Sequence, residues 1–130
     1  MEFYYAPMEG ITTYTYRNTH KEYFGSCDVY YSPFINPSDN EKVSMKNLRD
    51  IIPEKNKNIG LTVQVLTNKA EAFLKFADKV RSLGYNELNI NLGCPSGTVV
   101  NKGRGAGILR DTDGLDDFLY QIFSKSDMKI

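Results

Sequence analysis

The sequence predicts an α/β fold built from parallel strand–helix units. Short runs rich in aromatic and β-branched residues alternate along the chain with segments of helical periodicity. Glycine, proline and asparagine separate these segments at the positions where turns are needed. The strand–helix alternation occurs four times, and successive right-handed crossovers of this kind produce a parallel sheet.

The first half of the chain is predicted to hold three strands and two helices. Aromatic residues mark the first strand, which Pro7 and Gly10 close, and the third strand is rich in β-branched residues. The predicted segments are a strand at 3–6, a helix from Thr12 or Thr13 to Phe24 that Gly25 ends, a strand at 28–31, a loop at 32–40, a helix from Ser44 to Ile51 that Pro53 ends, and a strand at 61–66.

The second half continues the alternation. Asn68 is predicted to cap the clearest helix, which Gly84 ends. A strand at 87–91 and a glycine-rich loop at 93–107 follow. Asp113 is predicted to cap the last helix, and 128–130 begins a fifth strand. The apolar positions on the two helix faces are Ala72, Phe73, Phe76, Ala77, Val80 and Leu83, then Leu115, Phe118, Leu119 and Ile122.

Length and composition narrow the classes of protein. The 130 residues are enough for one domain, and the hydrophobic share of 41% is ordinary for a globular protein. No apolar run approaches the ~20 residues of a membrane span, and the N-terminus does not read as a signal peptide. The two cysteines, Cys27 and Cys94, make no disulfide framework, so we expect a cytoplasmic protein with reduced thiols.

Charge argues against one function class. Sixteen basic and sixteen acidic side chains cancel, whereas phosphate contacts supply most nucleic-acid affinity. A nucleic-acid binder with a basic surface throughout is therefore disfavoured, although a local basic rim remains open.

Two architectures fit the four units. One is an open doubly wound sheet, and the other is part of a (β/α)₈ barrel. A complete barrel takes roughly 250 residues, so this chain would supply about half of one. Half a barrel has unpaired strand edges, which favour self-association or a partner.

In either architecture the functional side lies where strands end. After the first strand comes APMEGIT, residues 6–12, in which proline fixes the turn and glycine allows close approach to a flat ligand. An ordinary strand-to-helix turn is an equally good interpretation. On the third strand, Gln64 supplies an amide donor and acceptor suited to the edge of a heterocycle, or else it faces solvent or backbone.

The fourth strand ends at a thiol. Asn89 and Asn91 form a polar stripe on one face of the strand, and Cys94 follows in a Gly-Cys-Pro turn. A free thiol has a pKa of about 8.5 and is mostly protonated at neutral pH, which suits proton donation. The one histidine, His20, lies in the first predicted helix, so a protease-like Cys–His pair is not expected.

The segment KGRGAG, residues 102–107, is not a dinucleotide-binding fingerprint, because its glycine spacing is wrong and no strand leads into it. Lys102 and Arg104 suit contact with a phosphate-bearing substrate, and a solvated loop is equally consistent. Two distant cysteines and one histidine give no zinc-ligand spacing. The aspartates at 111, 113, 116 and 117 match the start of a helix.

Taken together, APMEGIT, VQVL, LNINLGCP and NKGRGAGIL resemble the tRNA-dihydrouridine synthase family, in the family's order along the chain. The resemblance implies an FMN-binding (β/α)₈ barrel that reduces uridine in tRNA to 5,6-dihydrouridine with NADPH or NADH. Residues 1–130 would be its N-terminal part. The family's remaining flavin-site residues and its helical tRNA-binding domain would lie past Ile130, so we expect this chain alone to bind FMN weakly or not at all.

The resemblance also implies roles for particular residues. Cys94 would be the catalytic general acid, and Asn91 would lie beside flavin and uracil. The remaining predicted contacts are Pro7, Met8, Glu9 and Gln64 with FMN, and Lys102 and Arg104 with the RNA. Dihydroorotate dehydrogenase, another FMN barrel with a similar strand end, and an inactive self-associating half barrel are the alternatives.

Overall fold

The computed structural model describes residues 1–25, 27–37 and 45–130, without the side chain of Lys46. Four strands and five α-helices lie in these ranges, together with 3₁₀ turns at Pro53–Lys55 and Gly105–Arg110. The strands are β1 (Tyr4–Tyr5), β2 (Val29–Tyr31), β3 (Leu61–Val65) and β4 (Leu88–Ile90), and the helices are α1 (Tyr14–Phe24), α2 (Met45–Ile51), α3 (Ala70–Ser82), α4 (Gly97–Val100) and α5 (Thr112–Lys125).

The sheet is parallel throughout, in the order β1-β2-β3-β4. A doubly wound sheet reverses its strand order at a switch point, whereas a barrel adds each new strand beside the previous one. The consecutive order therefore matches a section of a (β/α)₈ barrel and confirms the predicted fold class. Lys129 pairs in parallel with Glu87, which is the start expected for a fifth strand.

The core lies between β3, β4 and the helices α3 and α5. The predicted face of α3 is buried at five of its six positions, because the 3.6-residue period places them on one side of the helix. Phe73 of α3 meets Phe118 of α5 edge-to-face, with ring centroids 6.3 Å apart. The fully buried apolar residues on the strands include Tyr30, Val63, Val65 and Leu88.

A second apolar layer packs α1 against β1 and β2. Here the His20 ring lies 4.4 Å from the Tyr5 ring, and its Nδ1 is 2.9 Å from the Tyr30 hydroxyl. His20 is thus part of an aromatic layer and lies on the first helix, as predicted.

Some of the predicted helix ends match the structure and others differ from it. Gly25 does end α1, with a φ of +71° that favours glycine. Asp111, and not Asp113, caps α5, by accepting a hydrogen bond from the Gly114 N–H at 3.0 Å. The predicted cap at Ser44 and the end of the predicted 32–40 loop lie outside the described residues.

The glycine-rich segment at 93–107 is not one flexible loop. It contains helix α4, and its end forms the beginning of the second 3₁₀ turn. Val99, Gly105 and Gly107 are buried there, so the segment packs against its surroundings. None of the helices in the described ranges is both long and apolar enough to cross a membrane.

Candidate active site

The predicted site residues lie along one edge of the sheet. The carboxyl ends of parallel strands point the same way, and the segments that follow β1, β3 and β4 leave from this edge. Met8, Gln64 and Cys94 therefore lie at the same end of the sheet. Met8 belongs to the turn after β1 and is separated from Gln64 by the intervening strand β2.

A chain of amide side chains crosses from β3 to β4. Gln64 lies directly opposite Asn89 in the strand register, and its Nε2 donates to Asn89 Oδ1 at 2.7 Å. Its Oε1 accepts from Asn91 Nδ2 at 2.9 Å. Gln64 is 8% exposed, so its amide is buried, and its nitrogen and its oxygen each have a hydrogen-bond partner. The interpretation in which Gln64 faces solvent is excluded.

Asn91 also holds the residue that carries the thiol. Its Oδ1 accepts from the backbone N–H of Cys94 at 2.9 Å and from that of Gly93 at 3.2 Å. An asparagine that bonds the backbone two or three residues ahead fixes a turn. On the other side, the Ala106 N–H donates to the Cys94 carbonyl at 3.0 Å. The backbone of Cys94 is thus fixed on both sides, and the residue is half-buried.

The turn after β1 is closed by Thr12. Its hydroxyl accepts from the Met8 N–H at 2.8 Å and donates to the Met8 carbonyl at 3.1 Å. Thr13 occupies the cap position of α1 without a side-chain capping bond. Pro7 is half-buried, Met8 is 58% exposed and Glu9 is exposed. The turn therefore presents an apolar thioether and a carboxylate at the site edge.

A buried arginine supports this turn, and sequence reasoning missed it. Arg17 is fully buried, and its Nη1 donates to the Thr12 carbonyl at 2.8 Å and to Asp50 Oδ2 at 2.9 Å. Its Nη2 donates to the Asp50 carbonyl and to Asn56 Oδ1. Its Nε has no hydrogen-bond partner among the described residues. No sequence signal marked Arg17, because arginine is ordinarily exposed and its side-chain partners, Asp50 and Asn56, lie 33 and 39 residues away.

Lys102 and Arg104 contact Asn68, which lies in the segment between β3 and α3. The Asn68 side chain donates to the Lys102 carbonyl at 3.1 Å and lies 3.5 Å from Arg104 Nε. It was predicted to cap α3, but the cap residue is Lys69 and Thr67 Oγ1 accepts the Lys69 N–H. The expected capping role of Asn68 is therefore wrong, since a partner 34 residues away occupies its amide.

A cleft of about 410 Å³ adjoins the site between the turn after β1 and helix α2. Of the predicted site residues only Glu9 lines it, so the cleft lies beside the thiol and amides and not over them. Tyr14 lines its wall, with Lys55 Nζ 4.4 Å from the ring centroid. The hydrogen bond from Lys55, aided by Thr15 and Arg49, lowers the pKa of the Tyr14 hydroxyl below its usual value.

The fold and site define a parallel (β/α) protein whose strand ends carry a chain of amides and a cysteine with a hydrogen-bonded backbone. The family model "Dihydrouridine synthase (Dus)" matches residues 4–130. The chain belongs to the dihydrouridine synthase family, as the sequence motifs indicated.

Curated relatives agree with this assignment. The chain is 29% identical over 108 residues to a probable tRNA-dihydrouridine synthase 2 of Bacillus subtilis, covering 82% of this chain and 33% of that protein. It is 25% identical over 112 residues to a probable tRNA-dihydrouridine synthase of Staphylococcus aureus strain Mu50, covering 85% and 34%. The chain spans about a third of the length of these relatives.

Proposed function

We propose that residues 1–130 form the N-terminal part of an FMN-dependent (β/α)₈ barrel that reduces uridine in tRNA to 5,6-dihydrouridine. The relatives named as probable tRNA-dihydrouridine synthases support the substrate. The observation that carries the proposal is the hydrogen-bond chain from Gln64 through Asn91 to Cys94 at the carboxyl edge of the sheet.

The donors and acceptors at this edge fit a flavin ring. Gln64 uses one of its two amide N–H groups on Asn89 and one acceptor site of Oε1 on Asn91, which leaves one of each for a ligand. A flavin edge carries both carbonyls and ring nitrogens and accepts such a pair. Pro7 and Met8 supply apolar surface for the ring face, and Glu9 lies at the margin. We assign these four residues to the cofactor.

The chemistry then divides between cofactor and protein. FMN, reduced by NADPH or NADH, would supply a hydride to C6 of the uracil. Cys94 donates the proton to C5, because Asn91 holds its backbone and a thiol can act as a general acid. Asn91 orients Cys94 through its backbone N–H and lies beside the substrate. The C5–C6 double bond becomes single, with one hydride and one proton added.

We assign the RNA contacts to Lys102 and Arg104, because their cationic side chains suit a phosphate backbone. Removing one phosphate contact lowers affinity and reduces the salt dependence of binding by about one ion. Arg104→Ala is expected to show both effects in tRNA-binding titrations at several salt concentrations. Arg81→Ala is the matched control, because Arg81 lies near the end of α3, toward the opposite edge of the sheet. Equal losses in the two variants would contradict the assignment.

The decisive experiment uses the complete gene product. Cys94→Ala is expected to retain flavin reduction by NADPH and to lose dihydrouridine formation on tRNA. Cys27→Ala, which changes the other cysteine, is expected to retain both activities. Dihydrouridine formed by Cys94→Ala at the normal rate would refute the assigned role.

The alternatives give different results. Oxidation of dihydroorotate by the wild-type protein would support the dehydrogenase alternative. For residues 1–130 alone, size-exclusion chromatography with a flavin absorbance scan separates a yellow monomer from a colourless self-associated half barrel.

A further inference from the structure

The side chain of Asn68 joins two segments of the site edge. Asn68 lies between β3 and α3, and its Nδ2 donates to the Lys102 carbonyl at 3.1 Å. Its Oδ1 lies 3.5 Å from Arg104 Nε. Between these contacts, a Cβ on Gly103 would lie 3.3 Å from Asn68 Nδ2. This one amide therefore contacts all three residues of the turn 102–104.

The turn is rigidly connected to helix α4. The backbone N–H of Lys102 and that of Arg104 both donate to the Val99 carbonyl, at 3.1 and 3.2 Å. The Gly103 N–H donates to the Val100 carbonyl at 3.0 Å. Three backbone hydrogen bonds therefore join the turn to the helix, so we expect a shift of the turn to shift the helix as well.

The residues just after the turn touch Cys94. A Cβ on Gly105 would lie 2.7 Å from the Cys94 carbonyl oxygen and 3.0 Å from Cys94 Cβ. The next residue, Ala106, donates its N–H to the same carbonyl. A displacement of residues 102–104 is thus passed to Gly105 and Ala106, which contact Cys94.

We propose that Asn68 is a positioning residue that holds the segment from Gly97 to Gly107 against Cys94. It acts on the backbone around the thiol and, through Arg104, on the proposed RNA contact. A purely local role at the start of α3 does not explain its contacts, since Thr67 already accepts the Lys69 N–H there. The inference rests on the proposed function only in taking Cys94 as the working thiol.

The test measures how fast iodoacetamide alkylates each cysteine in residues 1–130. In a Cys27→Ser background only Cys94 reacts, and in a Cys94→Ser background only Cys27 reacts. Asn68→Ala is expected to accelerate alkylation of Cys94 by about fivefold, the effect of one net hydrogen bond on the population of an opened segment. Cys27 is expected to react at its wild-type rate.

A second variant and a control complete the design. Asn68→Asp keeps an oxygen for Arg104 but loses the donor to the Lys102 carbonyl. It too is therefore expected to accelerate the alkylation of Cys94. Asn58→Ala removes an exposed amide from the turn that precedes β3, at the other end of that strand, and is expected to change neither rate.

Three results would overturn the proposal. They are an unchanged alkylation rate of Cys94 in Asn68→Ala, an equal acceleration of alkylation at both cysteines, and global unfolding of Asn68→Ala seen by circular dichroism. The last two would make Asn68 a residue of general stability. Because the assay needs neither flavin nor RNA, its failure is separable from that of the proposed function, which depends on dihydrouridine formation by Cys94→Ala.

Discussion

Replacing Asn91 by alanine tests the amide chain on which the site depends. The Asn91 side chain makes three hydrogen bonds, to Gln64 Oε1 and from the backbone N–H groups of Gly93 and Cys94. A net hydrogen bond contributes about 1 kcal/mol, and a buried group left unpaired costs about 1–3 kcal/mol. Gln64 is buried, while the Gly93 N–H is near solvent and can bind water. We therefore expect Asn91→Ala to lower the free energy of unfolding by about 2–3 kcal/mol.

The assay is urea unfolding of residues 1–130 followed by far-UV circular dichroism. Asn101→Ala, at an exposed position after α4, is the matched control and should change the free energy of unfolding by less than about 0.5 kcal/mol. Asn91→Asp keeps the size of the side chain, so it separates the loss of hydrogen bonds from the loss of side-chain volume. Its carboxylate still accepts both backbone N–H groups, and the Gln64 and Asn89 amides can rotate together so that Gln64 donates to it and Asn89 donates to Gln64. Asn91→Asp should therefore cost less than Asn91→Ala. Equal costs, or an Asn91→Ala cost no larger than that of the control, would refute the reasoning.

Three further predictions concern other contacts described above. Gly105→Ala should lower the free energy of unfolding by about 2–4 kcal/mol, because its φ of +54° is strained for alanine and the new Cβ meets Cys94. Gly97→Ala, where a Cβ meets none of the described atoms within 4 Å, should be near neutral in the same urea assay. Arg17→Ala should lower the free energy of unfolding by about 3–5 kcal/mol, because it removes the buried cation that pairs with Asp50 and leaves that carboxylate with the Tyr14 N–H. Arg81 forms exposed ion pairs, so Arg81→Ala should cost under about 1 kcal/mol. Similar losses in the two variants would contradict the buried network. Burial raises the pKa of Tyr85 to about 12 from an ordinary 10.0. Its stabilising effect is thus complete below pH 10 and is lost as the pH rises toward 12. The melting temperature should therefore fall less steeply in this range for Tyr85→Phe than for the wild type, and parallel profiles would disprove this.

The parts of the fold with strong local periodicity could be predicted from the sequence. Helix α3 repeats its apolar positions over three turns, and its predicted face is the buried one. The strand–helix alternation likewise indicated a parallel sheet. Local ambiguity produced small errors, such as the choice between Asp111 and Asp113 as the cap of α5.

The parts that were missed depend on contacts between distant residues. Asn68 resembles a helix cap in sequence, but its partner lies 34 residues along the chain. The amides of Gln64 and Asn91 were identified singly, whereas their hydrogen bond depends on the register of β3 with β4. Arg17 carried no local signal at all.

The glycines of the 93–107 segment have different neighbours, with a consequence for how the protein can diversify. Gly105 and Gly107 lie against Cys94 and Val100, where a Cβ would come within 3.0 Å of backbone atoms. At Gly93 and Gly97 a Cβ would meet no described atom within 4 Å. In a saturation library selected for folding, positions 105 and 107 should be depleted of every other amino acid, while 93 and 97 drift freely. Tolerance to substitution thus falls from the beginning of this stretch to its end, although glycine recurs throughout it.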